Sequence, residues 1–392
     1  MKIDTESFIR VSQILERDAK TATYKFALIK ATIDAISYYD QHIIKDKLHN
    51  RVSFSMGLLV EQWLWYYYPL LESDIFLPQL DAETPIGEKG KNIAFRADFE
   101  NLIKSYSKYG GFKNFYQSYK KYNLPEDIYP ILTKLIKSLY SAIENGPIKY
   151  LGNSFSQNNY SIYSKPEGKN RFVAKKGERI NSGFLINNLK HVSIPYDFYI
   201  VLKYMGGFIG GRNSIINNWA DFIVKTSKNQ NNKIKKGYIL ERLMVHPGSS
   251  RDTKLVESYY KKKDELFCVW SGKKIDERFD DNKLNVDHVL PFAHYLNNDI
   301  WNLLPALKKV NGNKSDKIPT PDLIEKRKDI IVDYWGELHE FFNKSFEDEV
   351  RVSLVPNLNF DSSTNWETST LNALKSKAEF FIDVRGVEGW EK

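Results

Sequence analysis

Hydrophobic positions in the first part of the chain repeat with the spacing of a helix. Between residues 21 and 39, Phe26, Ile29, Ile33 and Ile36 follow one another at intervals of three or four residues. This spacing places them on one face of a helix, which is the face that packs into a core. The pattern therefore predicts an amphipathic helix over Thr21 to Tyr39.

A second helix is predicted to be apolar almost all round. Its segment contains the run WLWYYY and continues toward Pro69, and Ser53 is the expected N-terminal cap. A helix without a polar face is usually buried on all sides, so we expect this one at the centre of its domain. Similar periods predict helices at Phe95 to Tyr109 and at Pro125 to Ile143.

The pattern changes after residue 145 and again after residue 249. Short alternating stretches predict a few strands and loops over 146–194. Helical periods then return in four segments, namely Tyr196 to Met205, Asn213 to Thr226, Tyr238 to Met244 and Glu367 to Ile382. The chain therefore divides into a helical domain (1–145), a mixed α/β region for recognition or partner binding (146–249), a third domain (250–345) and a tail with one helix (346–392).

Composition narrows the class of protein. Of the 392 residues, 42% are apolar and 27% charged, which is ordinary for a globular protein, and the formal net charge of +8 suggests a polyanionic partner. The single cysteine excludes an internal disulfide and any zinc site with two thiolates. The N-terminal segment has no apolar signal-peptide core, and the longest apolar stretch, around Trp63 to Leu71, is far shorter than a membrane span. We therefore expect a cytoplasmic, prokaryotic protein without membrane contact.

Residues with chemical potential are concentrated between 285 and 319. Asp287 and His288 end a short predicted strand, and Asn302 follows 14 residues after the histidine. Asn311 and Lys314 come next in an N-x-x-K spacing, on or just after a short helix.

This set of side chains suits the cleavage of a phosphodiester. Mg²⁺ takes oxygen ligands, and Asp287 with the amide oxygen of Asn311 would supply the minimum from protein. A neutral His288 can take a proton from water, and Lys314 can hold a phosphate as a point charge.

The segment 266–320 resembles the HNH endonuclease family, whose fold is the ββα-metal finger. Its DHxxP and N-x-x-K-S-D runs are also similar to the HNH domain of RNA-guided CRISPR nucleases. The resemblance implies that His288 is the general base, that Asp287 and Asn311 are metal ligands, and that Asn302 ties the loop to the strand. The predicted fold is thus mainly α with a small α+β insert: a helical N-terminal body followed by a ββα-metal finger.

Two departures from the family affect the expected cofactor. Many HNH proteins brace the finger with zinc on two CxxC pairs, but here the first pair would fall on Cys268 and Ser271. We therefore expect no structural zinc, and Asn311 in the third position favours Mg²⁺ or Mn²⁺. Packing must hold the finger instead, through Trp270, Ile275, Val286, Leu290 and Trp301.

For several residues two alternative roles remain open. Asn302 can tether a loop rather than act in catalysis, and Lys314 can contact phosphate or lie on a solvated surface. The basic residues can likewise bind nucleic acid or form solvated faces. The candidates for nucleic-acid binding are Lys261, Lys262, Lys263, Lys308 and Lys309, together with the basic runs 165–179 and 225–242. From Phe267 to Thr320 the finger has 8 basic and 7 acidic residues, so most of the electrostatic attraction to DNA must come from other parts of the chain.

Two functions remain open on the sequence. The first is a metal-dependent DNA endonuclease of a restriction or anti-phage defence system, acting on double-stranded DNA. The second is a DNA- or partner-binding subunit of a defence complex, in which the HNH fold is a scaffold or is activated only by the partner. No Walker A or dinucleotide-binding pattern is present, so we expect no nucleotide cofactor. An oligomer is compatible with either function.

Overall fold

The computed structural model describes residues 5–17, 21–152, 162–168, 179–210, 215–229, 234–245, 251–276, 280–361 and 364–391. The chain forms two compact units, unit 1 (Met1–Pro247) and unit 2 (Gly248–Lys392). The predicted fold class is confirmed, because helices predominate and the sheets have only two or three strands. The finer division of the chain into four parts stays a prediction.

Unit 1 is a helical body with one three-stranded antiparallel sheet. Its helices are α1 (Thr5–Arg17), α2 (Tyr24–Tyr38), α3 (Met56–Leu71), α4 (Arg96–Tyr106), α5 (Gly111–Lys120), α6 (Tyr129–Asn145), α7 (Pro147–Tyr150), α8 (Ser182–Asn188), α9 (Tyr196–Gly210), α10 (Ile215–Asn229) and α11 (Lys236–Met244). Its strands are β1 (Ile44–Asp46), β2 (Arg51–Ser55) and β3 (His191–Pro195), with β2 in the middle.

Helix α3 lies at the centre of unit 1, as its apolar sequence predicts. Most of its side chains are buried, and it packs against α2, α6 and α8. At Gly57 a Cβ atom would lie 2.2 Å from the carbonyl oxygen of Leu185, so only glycine permits this close approach of α8.

The predicted cap of α3 is wrong by two residues. Ser53 lies within β2, opposite Ser193 of β3, and cannot begin a helix there. The cap is Ser55, whose Oγ accepts a hydrogen bond from the backbone N–H of Gly57 at 3.0 Å. Pairing with β3 thus extends the strand by two residues beyond what local sequence suggested.

Unit 2 surrounds a two-stranded antiparallel sheet with helices. The helices are α12 (Lys254–Tyr260), α13 (Phe292–Tyr295), α14 (Lys308–Lys314), α15 (Pro321–Lys326), α16 (Lys328–Phe342), α17 (Lys344–Ser353) and α18 (Trp366–Glu379). The sheet pairs β4 (Leu284–His288) with β5 (Leu303–Leu307), and a second, parallel pair joins β6 (Ile318–Pro319) to β7 (Gly389–Trp390). The order β4–β5–α14 is the predicted ββα unit.

The finger is held by packing and by backbone hydrogen bonds. The five side chains predicted to hold it, Trp270, Ile275, Val286, Leu290 and Trp301, are all buried. Before β4 the chain makes a tight turn, in which the N–H of Cys268 donates to the carbonyl of Lys273 at 2.8 Å and Gly272 adopts a φ of 69°. The N–H of Val269 then donates to the carbonyl of Pro305 at 2.9 Å, which fastens this turn to β5.

None of the helices in the described ranges has the length and apolar character that crossing a bilayer requires.

Candidate active site

Asp287 and His288 are the last two residues of β4, at the end that pairs with the start of β5. They pair with Leu304 and Leu303 respectively, and both side chains are fully buried. Since neighbouring residues of a strand alternate between its two faces, the two side chains leave the backbone in different directions.

The carboxylate of Asp287 joins three parts of the finger. Its Oδ1 accepts from Lys314 Nζ of α14 at 3.0 Å, and its Oδ2 accepts from the indole N–H of Trp270, in the turn before β4, at 2.5 Å. Lys314 Nζ also donates to the carbonyl of His288 at 2.7 Å. One carboxylate on β4 therefore anchors both the helix and the turn.

Lys314 is fully buried, so the reading of this lysine as a solvated surface residue is wrong. The ion pair with Asp287 accounts for its position, since a buried ammonium needs a compensating charge and hydrogen-bond acceptors. Burial raises the pKa of Asp287 and lowers the pKa of Lys314, and the attraction between them opposes both shifts. That Lys314 contacts a phosphate stays a prediction.

The ring of His288 is fixed through one nitrogen. Its Nε2 lies 2.9 Å from Oδ1 of Asn298, and the same oxygen accepts the backbone N–H of Asp252 at 3.1 Å. Because the backbone N–H can only donate, this atom of Asn298 is the amide oxygen, and Nε2 must carry the proton. The other nitrogen, Nδ1, then holds an unshared electron pair.

That electron pair has no partner among the residues that the structure describes. Nδ1 of His288 is buried and forms no hydrogen bond to any described residue. Burial lowers the pKa of His288 to about 4, with further lowering from the nearby charges of Arg251 and Lys314. The imidazole is therefore neutral near pH 7 and can accept a proton at Nδ1, which is what a general base requires.

Asn302 holds the loop between the two strands. Its Oδ1 accepts from the N–H of Leu290 at 2.8 Å, and its Nδ2 donates to the carbonyls of Leu290 at 3.1 Å and of Asn297 at 3.2 Å. These bonds match the tethering role that the sequence allowed for Asn302. They also set the course of the loop that carries Asn298 toward His288.

Asn311 lies on the side of α14 that faces β4. Its Nδ2 donates to Oδ1 of Asn285 at 3.0 Å, and Lys314, one turn later, contacts Asp287. Asn285 and Asp287 are two residues apart on β4 and so share a face of the strand. Asn311 and Asp287 therefore lie along the same face, and Asn311 keeps its amide oxygen for another partner.

The donor set in the finger fits a hard divalent cation. Within the described residues, no group of three or more His, Cys, Asp or Glu side chains gathers as a metal site. Asp287 and Asn311 provide oxygen donors only, and Mg²⁺ needs as few as one or two such ligands when water and phosphate complete its shell. Each carboxylate oxygen of Asp287 accepts one hydrogen bond and retains a second electron pair.

The predicted nucleic-acid-binding lysines have varied surroundings. Lys261 pairs with Glu257 at 2.5 Å, Lys263 with Glu337 at 2.8 Å and Lys308 with Asp280 at 2.7 Å. Lys262 and Lys309 are exposed. Paired lysines can still exchange a carboxylate for a phosphate, although part of their attraction for DNA is already offset. Of the basic run 165–179, residues 169–178 lie outside the described ranges.

Sequence reasoning missed three residues of the site. Trp270 was predicted only as a packing residue, and Asn298 and Arg251 were not considered. Asn298 lies in a polar loop and Arg251 lies 37 positions before His288, so no local spacing connects either residue with the histidine.

Removal of Lys314 should destabilise unit 2 strongly. In Lys314→Met the carboxylate of Asp287 stays buried without its cation, and loss of one partner of a buried pair costs about 3–5 kcal/mol in the free energy of unfolding. Urea denaturation in EDTA would measure this. Lys317→Met is the matched control, since Lys317 forms an exposed pair with Glu388 and should cost about 1 kcal/mol or less. The double variant Asp287→Asn/Lys314→Met should recover most of the loss, and no recovery would contradict the ion pair as its cause.

The stability of the metal-free protein should depend on pH through His288. Its pKa is about 4 in the folded protein against 6.5 for the free side chain, so between these values only the unfolded chain binds the proton. Stability therefore falls as pH decreases from about 6.5 to about 4, by up to about 3 kcal/mol from this group. Urea denaturation at several pH values should show a shallower pH dependence for His288→Asn than for the wild type. Parallel curves would mean that the histidine is not desolvated.

Comparison with known families gives two matches. The family described as Domain of unknown function (DUF8808) matches residues 4–243, and the HNH endonuclease family matches residues 268–320. No curated protein and no solved structure matches the chain significantly. The second match covers β4, β5 and α14 and confirms the resemblance seen in the motif, which indicates nuclease activity on nucleic acid. The first match spans more than half of the chain, which therefore belongs to the DUF8808 family and carries an HNH endonuclease domain at residues 268–320.

Proposed function

We propose that the chain is a metal-dependent DNA endonuclease, and that His288 is the general base in its hydrolysis of phosphodiester bonds. The observation that carries the proposal is the state of this histidine. It is neutral, its Nε2 is fixed by Asn298, and its Nδ1 is left without a partner among the described residues. A fixed base with one available electron pair is the minimum that activation of a water molecule requires.

The other residues of the chain prepare His288 for proton transfer. When Nδ1 takes a proton from the attacking water, the ring becomes positively charged, and the oxygen of Asn298 stabilises it through the bond from Nε2–H. Asn302 keeps the loop of Asn298 in place by its three hydrogen bonds. The role proposed for Asn302 is therefore positioning.

Asp287 and Asn311 are the proposed ligands of Mg²⁺ or Mn²⁺. Such an ion, when bound, supplies positive charge that stabilises the phosphate in the transition state and the leaving oxygen. Asp287 also contacts Lys314 at Oδ1, so an ion bound there would either share the carboxylate with the ammonium or displace it.

Contact with double-stranded DNA is proposed to depend mainly on unit 1. Unit 1 has 35 basic and 23 acidic residues, a net charge of +12, whereas unit 2 has 22 basic and 26 acidic residues, a net charge of −4. Phosphate contacts supply most of the affinity that is independent of sequence, and these need cations. Lys261, Lys262, Lys263, Lys308 and Lys309 remain proposed local contacts in unit 2.

A restriction or anti-phage role is the biological setting that we propose, with activation by a partner protein as the alternative. One observation favours the alternative. Asp287 and His288 are fully buried, so the site must open before water and a phosphate can reach Nδ1. Binding of a partner or of DNA could supply the energy for this opening. Purified protein that binds Mg²⁺ but leaves DNA intact would favour the partner.

Replacement of the base should abolish cleavage and leave DNA binding unchanged. His288→Ala is expected to lower kcat by roughly 10²- to 10⁴-fold, because a general base contributes that much. The measurement is the conversion of supercoiled plasmid with Mg²⁺, together with binding of a labelled duplex in EDTA. His294→Ala, which removes the other histidine of the finger, is the control. A His288→Ala protein that cleaves at the rate of this control would rule out His288 as the base.

Binding of the ion should be visible without any activity measurement. Mg²⁺ is expected to raise the melting temperature of the wild-type protein, since a ligand that binds only the folded state stabilises it. The increase should be lost in Asp287→Ala and Asn311→Ala, and EDTA should reverse it. Asn313→Ala, two residues along the same helix and exposed, should keep the increase. Equal responses of Asn311→Ala and Asn313→Ala would exclude Asn311 as a ligand.

A further inference from the structure

We propose that Arg251, which lies outside the matched HNH segment, binds a phosphate of the DNA substrate beside His288. This inference rests on the proposed nuclease function and adds a substrate-binding residue to the same site. It is carried by the position of the segment before α12, by the exposure of the guanidinium, and by the net negative charge of unit 2.

The position of the segment is fixed by a hydrogen bond to the site. The N–H of Asp252 donates to the amide oxygen of Asn298 at 3.1 Å, and this same oxygen holds Nε2 of His288 at 2.9 Å. The backbone of Asp252, next to Arg251, and the ring of His288 are thus hydrogen-bonded to the same oxygen atom. Any movement of this segment would also affect the anchoring of the histidine.

The guanidinium itself is exposed and available. Arg251 is an exposed residue, and none of the described residues forms a hydrogen bond or an ion pair with its side chain. The nearby lysines differ in this respect, since Lys314 is buried on Asp287 and both Lys261 and Lys263 are paired with glutamates. A guanidinium offers two parallel N–H donors, which suits the oxygens of a phosphate.

The net charge of unit 2 makes such a contact necessary. With 26 acidic and 22 basic residues, this unit repels a polyanion on average. A phosphate that approaches His288 must also pass near the carboxylate of Asp287. An exposed arginine beside both groups offsets that repulsion at the place where the scissile phosphate has to enter.

The test compares three single variants in the full-length protein. Arg251→Gln removes the positive charge, and Arg251→Lys keeps the charge but loses the two parallel N–H donors of the guanidinium. Lys254→Gln is the matched control, because it removes an exposed charge three residues away. The side chains are exposed, so all three variants should fold, and melting temperatures would verify this. Cleavage of a DNA duplex with Mg²⁺ gives KM and kcat, and binding of the duplex in EDTA at several salt concentrations gives the salt slope.

For Arg251→Gln we expect KM to rise by about tenfold or more, as for loss of a charged hydrogen bond, with a much smaller change in kcat. Its log–log salt slope should become shallower by about 0.9, which corresponds to one phosphate contact. Arg251→Lys should keep the slope of the wild type and recover part of KM, and Lys254→Gln should match the wild type. If Arg251→Gln and Lys254→Gln have equal KM and equal slopes, the inference is overturned while the proposed function stands. If His288→Ala cleaves as fast as the wild type, the proposed function fails first.

Discussion

The ion pair between Asp287 and Lys314 is the interaction on which the nuclease unit depends. It links the end of β4 to α14, and the bond from Trp270 to the same carboxylate adds the turn before the strand. Apolar packing holds the finger together, and this one carboxylate fastens three of its segments to one another. The same carboxylate is the proposed metal ligand, so one side chain would both stabilise the fold and bind the metal ion.

This double use constrains how the site can work. In the metal-free protein Asp287, His288 and Lys314 are all completely buried, and Trp270 and Lys314 both donate to the carboxylate of Asp287. A cation that binds Asp287 must either share it with the ammonium of Lys314 or displace it. Displacement would break the ion pair that links α14 to the end of β4. Under the proposed function, an ion at Asp287 therefore acts on the same contact that holds the finger together.

The sequence predicted those parts of the structure that local pattern determines. The helical periods predicted α2, α3, α4 and α6 to within a few residues, and the order of Asp287, His288 and Asn311 predicted the ββα unit. Long-range partners were not predictable in this way. Ser53 was assigned to a cap because its partner in β3 is 140 positions away in the chain, and the ion pair of Lys314 with Asp287 was not predicted because lysines are rarely buried. Asn298 and Arg251 were missed because only the folded chain brings them to His288.

The distribution of charge between the two units has a consequence for where the enzyme can cut. Unit 1 carries +12 and unit 2 carries −4, so the positive excess of the whole chain belongs to the part that matches the DUF8808 family. A unit with net negative charge repels a polyanion on average, so under the proposed function the affinity for DNA comes mainly from the cations of unit 1. The local concentration of unit 2 at a phosphodiester is then set by the unit to which it is joined. Selection of the cleavage site would therefore lie in unit 1, and the finger would add only the chemistry and the few phosphate contacts that align one bond with His288.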